Sequence, residues 1–90
     1  MDSHHTIEDT GIVLGTAIKE ALGDKAGIRR YGSMILPMDE ALILCALDLC
    51  GRPYLVYDLK LDREFVGDLE TEMIREFFYA VSYGAEMILH

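Results

Sequence analysis

An α+β fold, with a mostly antiparallel four-stranded sheet and two helices on one of its faces, is what this sequence predicts. Three observations lead there. Apolar residues recur at helical spacing in two stretches, 7–22 and 69–81, and strand-like runs separated by turn residues lie between them. The third is length: 90 residues suit one compact domain, 1–90, and not two.

The first helix is expected over Thr6–Leu22, where Ile7, Gly11, Leu14, Ile18, Ala21 and Leu22 form one stripe and Lys19 and Glu20 face water. Glu8 and Asp9 then fall in its first turn, at the positive end of the helix dipole, and Gly23 stands where a left-handed residue ends a helix. Tyr31–Leu36 reads as a strand, Pro37–Glu40 as a turn, and Ala41–Leu49 as a second strand. Leu42, Leu44 and Ala46 point one way and Ile43, Cys45 and Leu47 the other, so both faces of that strand call for cover, one from helices and one from another subunit. Cys50–Pro53 is a turn, and Tyr54–Leu61 a third strand with Leu55, Tyr57, Leu59 and Leu61 on one face. A second helix opens at Gly67-Asp68 with Asp68 as N-cap and Leu69, Met73, Phe77, Ala80 and Val81 as its stripe; Met87–His90 starts a last strand. The order is α-β-β-β-α-β.

Sixteen acidic residues against eight basic ones give a net charge of −8, which argues against a nucleic-acid partner, because phosphate-backbone binding needs clustered Lys and Arg. No apolar run approaches the roughly 20 residues of a membrane helix, and the beginning, MDSHHTIED, is polar and acidic where a secretory signal is basic and then apolar. The expectation is a soluble, cytoplasmic protein without a membrane partner. Cys45 and Cys50 lack CxxC spacing and read as buried free thiols.

Three groups of residues are candidates for chemistry. His4 and His5 lie four and three residues before Glu8, so on a helix the carboxylate shares a side with either imidazole, a partial site for Mn, Fe, Zn or Ni. Adjacent histidines splay apart and, if both ligate, serve two different ions; the alternative is a solvent-exposed start of the chain. Arg30 and Arg52 flank turns at sheet ends, placed either to hold an anion or to form surface ion pairs. Glu76 sits at the margin of the second helix stripe and needs a partner, a metal or a cation such as Arg75. His90 reads as a half-exposed polar residue.

Taken together and in order, DSHHTIEDTGI, ALGDK, GIRRYG, PMDEAL, DLCGRPYL and EFF resemble imidazoleglycerol-phosphate dehydratase, an enzyme family of histidine biosynthesis, over the whole chain. The resemblance implies a manganese-dependent lyase that removes water from imidazole glycerol phosphate to give imidazole acetol phosphate, on one repeat of a ribosomal protein S5 domain 2-like fold, read here as permuted. It places His4, His5 and Glu8 in the first of the family's two HHxxE metal motifs, Arg30 and Arg52 at the substrate phosphate, and Asp39 near the substrate hydroxyls. Glu76 falls on a metal-ligand position that is often His in the family. Glu8 and Asp39 are then the catalytic carboxylates, Mn2+ the cofactor, and the partners a phosphorylated imidazole substrate and further copies in a trimer-based homo-oligomer.

The family chain is about twice this length, so the resemblance corresponds to the end of one half-repeat and the beginning of the next. A partial dehydratase and a non-catalytic α+β oligomerisation module are the two functional readings that follow.

Overall fold

The computed structural model describes residues 3–90. Helices α1 (Ser3–Leu22) and α2 (Glu72–Ala85) run parallel, and small residues let their backbones touch. A Cβ on Gly15 would stand 2.6 Å from the Val81 carbonyl oxygen and 2.9 Å from the Gly84 Cα, and one on Gly11 would stand 2.8 Å from the Ala80 Cβ. Gly11 and Gly15 are one helical turn apart, as are Ala80 and Gly84, so two small-residue ridges fit each other and no larger side chain fits between them. The α1 stripe therefore differs from the expected one. Gly11 and Gly15 are buried, whereas Leu14 is 45% exposed and Ala21 also faces solvent.

Helix α1 begins three residues earlier than expected, so His4 and His5 lie within its first turn and no described residue of that turn is acidic. It ends as expected: Gly23 has φ 52°, and its amide donates to the Glu20 carbonyl at 3.2 Å. Lys19 is not merely solvated, because it forms an ion pair with Glu86 just beyond α2.

Strands β1 (Tyr31–Met38) and β2 (Ala41–Asp48) form a hairpin whose register runs from Tyr31 opposite Asp48 to Met38 opposite Ala41. The expected four-residue turn shrinks to Asp39-Glu40, with Asp39 at φ 51°. Pro37 belongs to the ladder opposite Leu42, which is admissible because β1 is an edge strand. The third strand is also shorter than expected. β3 spans only Tyr54–Leu55, because its partner β6 (Ile88–Leu89) pairs with those two residues alone.

The sheet order is β1-β2-β6-β3, with β2 and β6 antiparallel and β3 and β6 parallel. The sheet is thus mostly antiparallel but mixed.

Between sheet and α2 lies a hairpin absent from the expected order, β4 (Phe65–Val66) and β5 (Leu69–Glu70), turning at Gly67, φ 64°, and Asp68. Asp68 is consequently a turn residue and not a helix cap, and Leu69 belongs to β5. Thr71 caps α2 without a side-chain bond to its amides; its hydroxyl instead donates to the carbonyls of Arg63 at 2.7 Å and Glu64 at 3.1 Å, fastening the hairpin to the helix.

The core forms where Val81 and Ala85 of α2 meet Met87 and Leu89, with Ile18, Leu47, Leu55 and Phe78 packed around them. The helices reach only the base of the long hairpin. Every residue of β1 and the first five of β2 are exposed, so the expected helix cover over β2 stops near Ala46. This projection raises the radius of gyration to 14.3 Å, against about 12 Å for a compact chain of this length. Cys45, expected to be buried, is exposed for the same reason; Cys50 is half-buried, and both thiols are free.

Candidate functional site

The start of α1 brings one imidazole and one carboxylate together. His4 Nε2 lies 3.1 Å from Glu8 Oε2, the i,i+4 approach that helical geometry allows. The other ring nitrogen, Nδ1, is 2.9 Å from Met73 Sδ, which seats this turn of α1 against the start of α2. His5 turns away: the two rings meet edge to face at 78° with centroids 5.8 Å apart, so adjacent histidines present their nitrogens in different directions. An imidazole nitrogen and a carboxylate oxygen on one exposed face are a donor set suited to a divalent transition metal. Among the described residues no three His, Cys, Asp or Glu side chains converge. Glu76 is half-buried on α2, and its recorded partner is Arg75, Nη1 to Oε1 at 3.8 Å, the ion-pair alternative of the two open for it.

A second constellation forms at the base of the hairpin. The Arg30 guanidinium grips Asp48 with two parallel bonds, Nε to Oδ1 at 2.6 Å and Nη2 to Oδ2 at 3.1 Å, and its Cζ lies 4.9 Å from the centroid of the Tyr31 ring. The Arg30 hydrogen bond holds the Asp48 carboxyl below its ordinary value, with the charges of Arg30 and Arg52 acting in the same direction, and Asp48 in turn raises Arg30. Asp48 thus lies within electrostatic reach of both arginines. Arg52 is exposed, and its carbonyl accepts from Cys50 Sγ at 3.5 Å. Lys25, left-handed at φ 64°, brings its ammonium to the neighbouring Gly51. Two arginines and a lysine converge on one turn in a chain of net charge −8, with Asp48 set against the arginines and the Glu86 carboxyl within electrostatic reach of Lys25. An anion fits such a place.

Asp48 and Lys25 escape a reading of motifs. Recognising Asp39-Glu40 as a two-residue turn would have placed Asp48 opposite Tyr31, beside Arg30, so the signal for Asp48 was present in the hairpin register.

These groups do not meet within one copy. Eighteen helical steps of α1 separate His4 from Leu22, about 27 Å at the helical rise, and Lys25 and Gly51 lie beyond that far end. Asp39 is at the hairpin tip, seven ladder steps or about 24 Å from the Tyr31–Asp48 pair. Metal donors, cationic turn and acidic tip therefore occupy three separate corners.

The fold and these corners define a class: a small α+β chain that sets an imidazole beside a carboxylate at the start of one helix and gathers arginine and lysine side chains at one turn. The sequence profile of imidazoleglycerol-phosphate dehydratase matches residues 1–90, and this chain belongs to that family. It is 66% identical over 90 residues to the imidazoleglycerol-phosphate dehydratase of Lachnoclostridium phytofermentans and 62% identical to that of Acetivibrio thermocellus, covering all of this chain and 46% of each relative. Among solved structures, imidazoleglycerol-phosphate dehydratase from Staphylococcus aureus superposes with a TM-score of 0.94 at 44% identity, covering 100% of this chain and 53% of that one. The Pyrococcus furiosus structure follows at 0.86 and 32%, covering 49% of that chain. The chain spans about half the length of these relatives, and the α+β architecture is theirs.

Proposed function

We propose that this chain supplies part of an imidazoleglycerol-phosphate dehydratase site, one that dehydrates imidazole glycerol phosphate to imidazole acetol phosphate in the cytoplasm. The observation that carries the reading is the His4–Glu8 approach of 3.1 Å within an HHxxE motif, in a chain matched by that family from end to end. His4, His5 and Glu8 would hold manganese, with Glu76 turning from Arg75 to join them. When bound, the ion supplies a Lewis acid that draws electrons from the substrate imidazole. Arg30, held in place by Asp48, and Arg52 bind the phosphate and fix its distance from the reacting carbons. A carboxylate, Glu8 or Asp39, would accept the carbon-bound proton, and that proton returns to the hydroxyl on the adjacent carbon, which departs as water as the carbon–carbon double bond forms.

The separation of the three corners supports a homo-oligomeric, trimer-based assembly, because a small phosphorylated imidazole spans far less than 24 Å. Different copies, or the rest of the family polypeptide, then bring the corners together. The test is turnover by the assembled protein, this chain mixed with the remainder of the L. phytofermentans relative in the presence of Mn2+. His5→Ala is expected to abolish kcat, and Arg52→Ala to raise KM about ten- to a hundredfold, the scale of a lost charged hydrogen bond. Turnover indifferent to both substitutions contradicts the assignment.

A second reading, a non-catalytic oligomerisation module, draws on the long apolar hairpin and on the incomplete donor set. It predicts the same assembly with no manganese bound.

A further inference from the structure

Close contacts between the two helices climb both of them in equal steps. Gly15 lies against Gly84, and four residues back on each helix Gly11 lies against Ala80. Two further turns back, seven residues on each helix, His4 comes opposite Met73, and there His4 Nδ1 stands 2.9 Å from Met73 Sδ. The imidazole–thioether contact is therefore the first rung of the same helix register. From it we propose that Met73 is a positioning residue for His4: its thioether takes the hydrogen on Nδ1 and so reserves Nε2, beside Glu8, as the metal-binding atom. The proposal rests on the reading of His4 and Glu8 as metal donors.

The chemistry of sulfur decides which nitrogen carries the hydrogen. A thioether has lone pairs and no hydrogen to give, so its approach to a ring nitrogen is attractive only when that nitrogen is the donor. An imidazole binds a metal through the nitrogen that bears no hydrogen, and the partner of the other nitrogen makes the choice. With Nδ1 donating to Met73, the choice falls on Nε2, 3.1 Å from Glu8 Oε2. In the opposite tautomer Nε2 would donate to Glu8, imidazole and carboxylate would satisfy each other, and the Nδ1 lone pair would face the sulfur lone pairs. Met73 disfavours that closed pair. Being uncharged, the thioether orients the ring without adding a competing anion.

Met73 is itself well held. It is 8% exposed and is the second residue of α2. The residue just before that helix, Thr71, is fastened to the β4–β5 hairpin by its amide, which donates to the Glu64 carbonyl at 2.8 Å, and by its hydroxyl, which donates to the carbonyls of Arg63 and Glu64. His4 is only half-buried. A buried acceptor on a fastened helix start thus orients a more exposed ring on its neighbour, the part that an outer-shell group plays for a ligating histidine.

Two substitutions separate an acceptor from a packing role, in the protein assembled with the remainder of the L. phytofermentans relative and with Mn2+ as the probe. Met73→Leu keeps the apolar volume and removes the acceptor. Met73→Gln keeps the length and offers a carbonyl oxygen, but puts an amide in a buried place. Mn2+ binding, read from the free-ion electron paramagnetic resonance signal, is expected to weaken about tenfold or more in Met73→Leu and to stay within about threefold of wild type in Met73→Gln. Thermal midpoints are expected to rank the other way, leucine near wild type and glutamine lower. In nitrogen-15 spectra of the Zn2+-loaded wild-type assembly, His4 is expected to ligate through Nε2 with its hydrogen on Nδ1. Ligation through Nδ1, or weaker Mn2+ binding by Met73→Gln than by Met73→Leu, overturns the proposal. Wild-type affinity retained in Met73→Leu overturns it alone, whether or not the glutamine variant folds, whereas no Mn2+ binding by wild type overturns the donor reading and the proposal with it.

Discussion

Asp48 is the residue on which the cationic turn depends. It is opposite Tyr31 in the hairpin and takes both parallel donors of Arg30, leaving the remaining guanidinium hydrogens free to point elsewhere. Its carboxyl is held below the ordinary 3.8, chiefly by the Arg30 hydrogen bond. A group depressed in the folded state contributes stability above its unfolded value, and that contribution disappears as pH falls through the folded one. Asp48→Asn is therefore expected to lower the thermal midpoint at pH 7. The gap between variant and wild type should close as pH drops below about 4, as read by circular dichroism across a pH series. A gap that stays constant down to pH 2 would show that the carboxylate charge is not what stabilises the pair. Single residues such as Arg30 and Arg52 can be picked out of the sequence by type and place, but Asp48 becomes visible only through its ladder partner.

At the level of elements, the helix pair rests on Gly15 and Gly84. Gly15→Ala raises helix propensity yet drives a Cβ to 2.6 Å from the Val81 carbonyl. Overpacking should win, at a net cost of about 1–3 kcal/mol in urea unfolding. Gly32→Ala is the control: its nearest neighbour would be 3.7 Å away, an ordinary contact, and the variant should be neutral or slightly more stable. Equal effects at both positions would contradict close helix contact as the cause.

The helices, the long hairpin and the last strand were legible because their periodicity spans many residues. Three features were not. The Leu14 position was misjudged because the two glycines, with no side chain to bury, define the contact line. Tyr54–Leu61 has strand periodicity, but a ladder extends only as far as its partner does. The β4–β5 hairpin carried its signal in Gly67-Asp68, a dipeptide equally readable as a helix start.

For the whole molecule, the central observation is apolar surface without cover. Ile35 and Leu44 are opposed on the hairpin, 65% and 64% exposed, and belong to a continuous apolar face. Such a surface is suited to association with another chain. The pair Ile35→Lys with Leu44→Glu keeps a favourable cross-strand contact while charging that face. It is expected to reduce the sedimenting mass toward a single chain with the circular dichroism spectrum retained; an unaltered assembly would place the contacts elsewhere.

The most direct test of the account is manganese affinity of the assembled protein, measured by the loss of the free-ion electron paramagnetic resonance signal. Wild type should bind Mn2+, and both His4→Ala and Glu8→Gln should weaken binding by more than about tenfold, since even outer-shell changes cost that much. Manganese binding of equal strength in all three proteins, or none in any, would contradict the metal assignment at the start of α1.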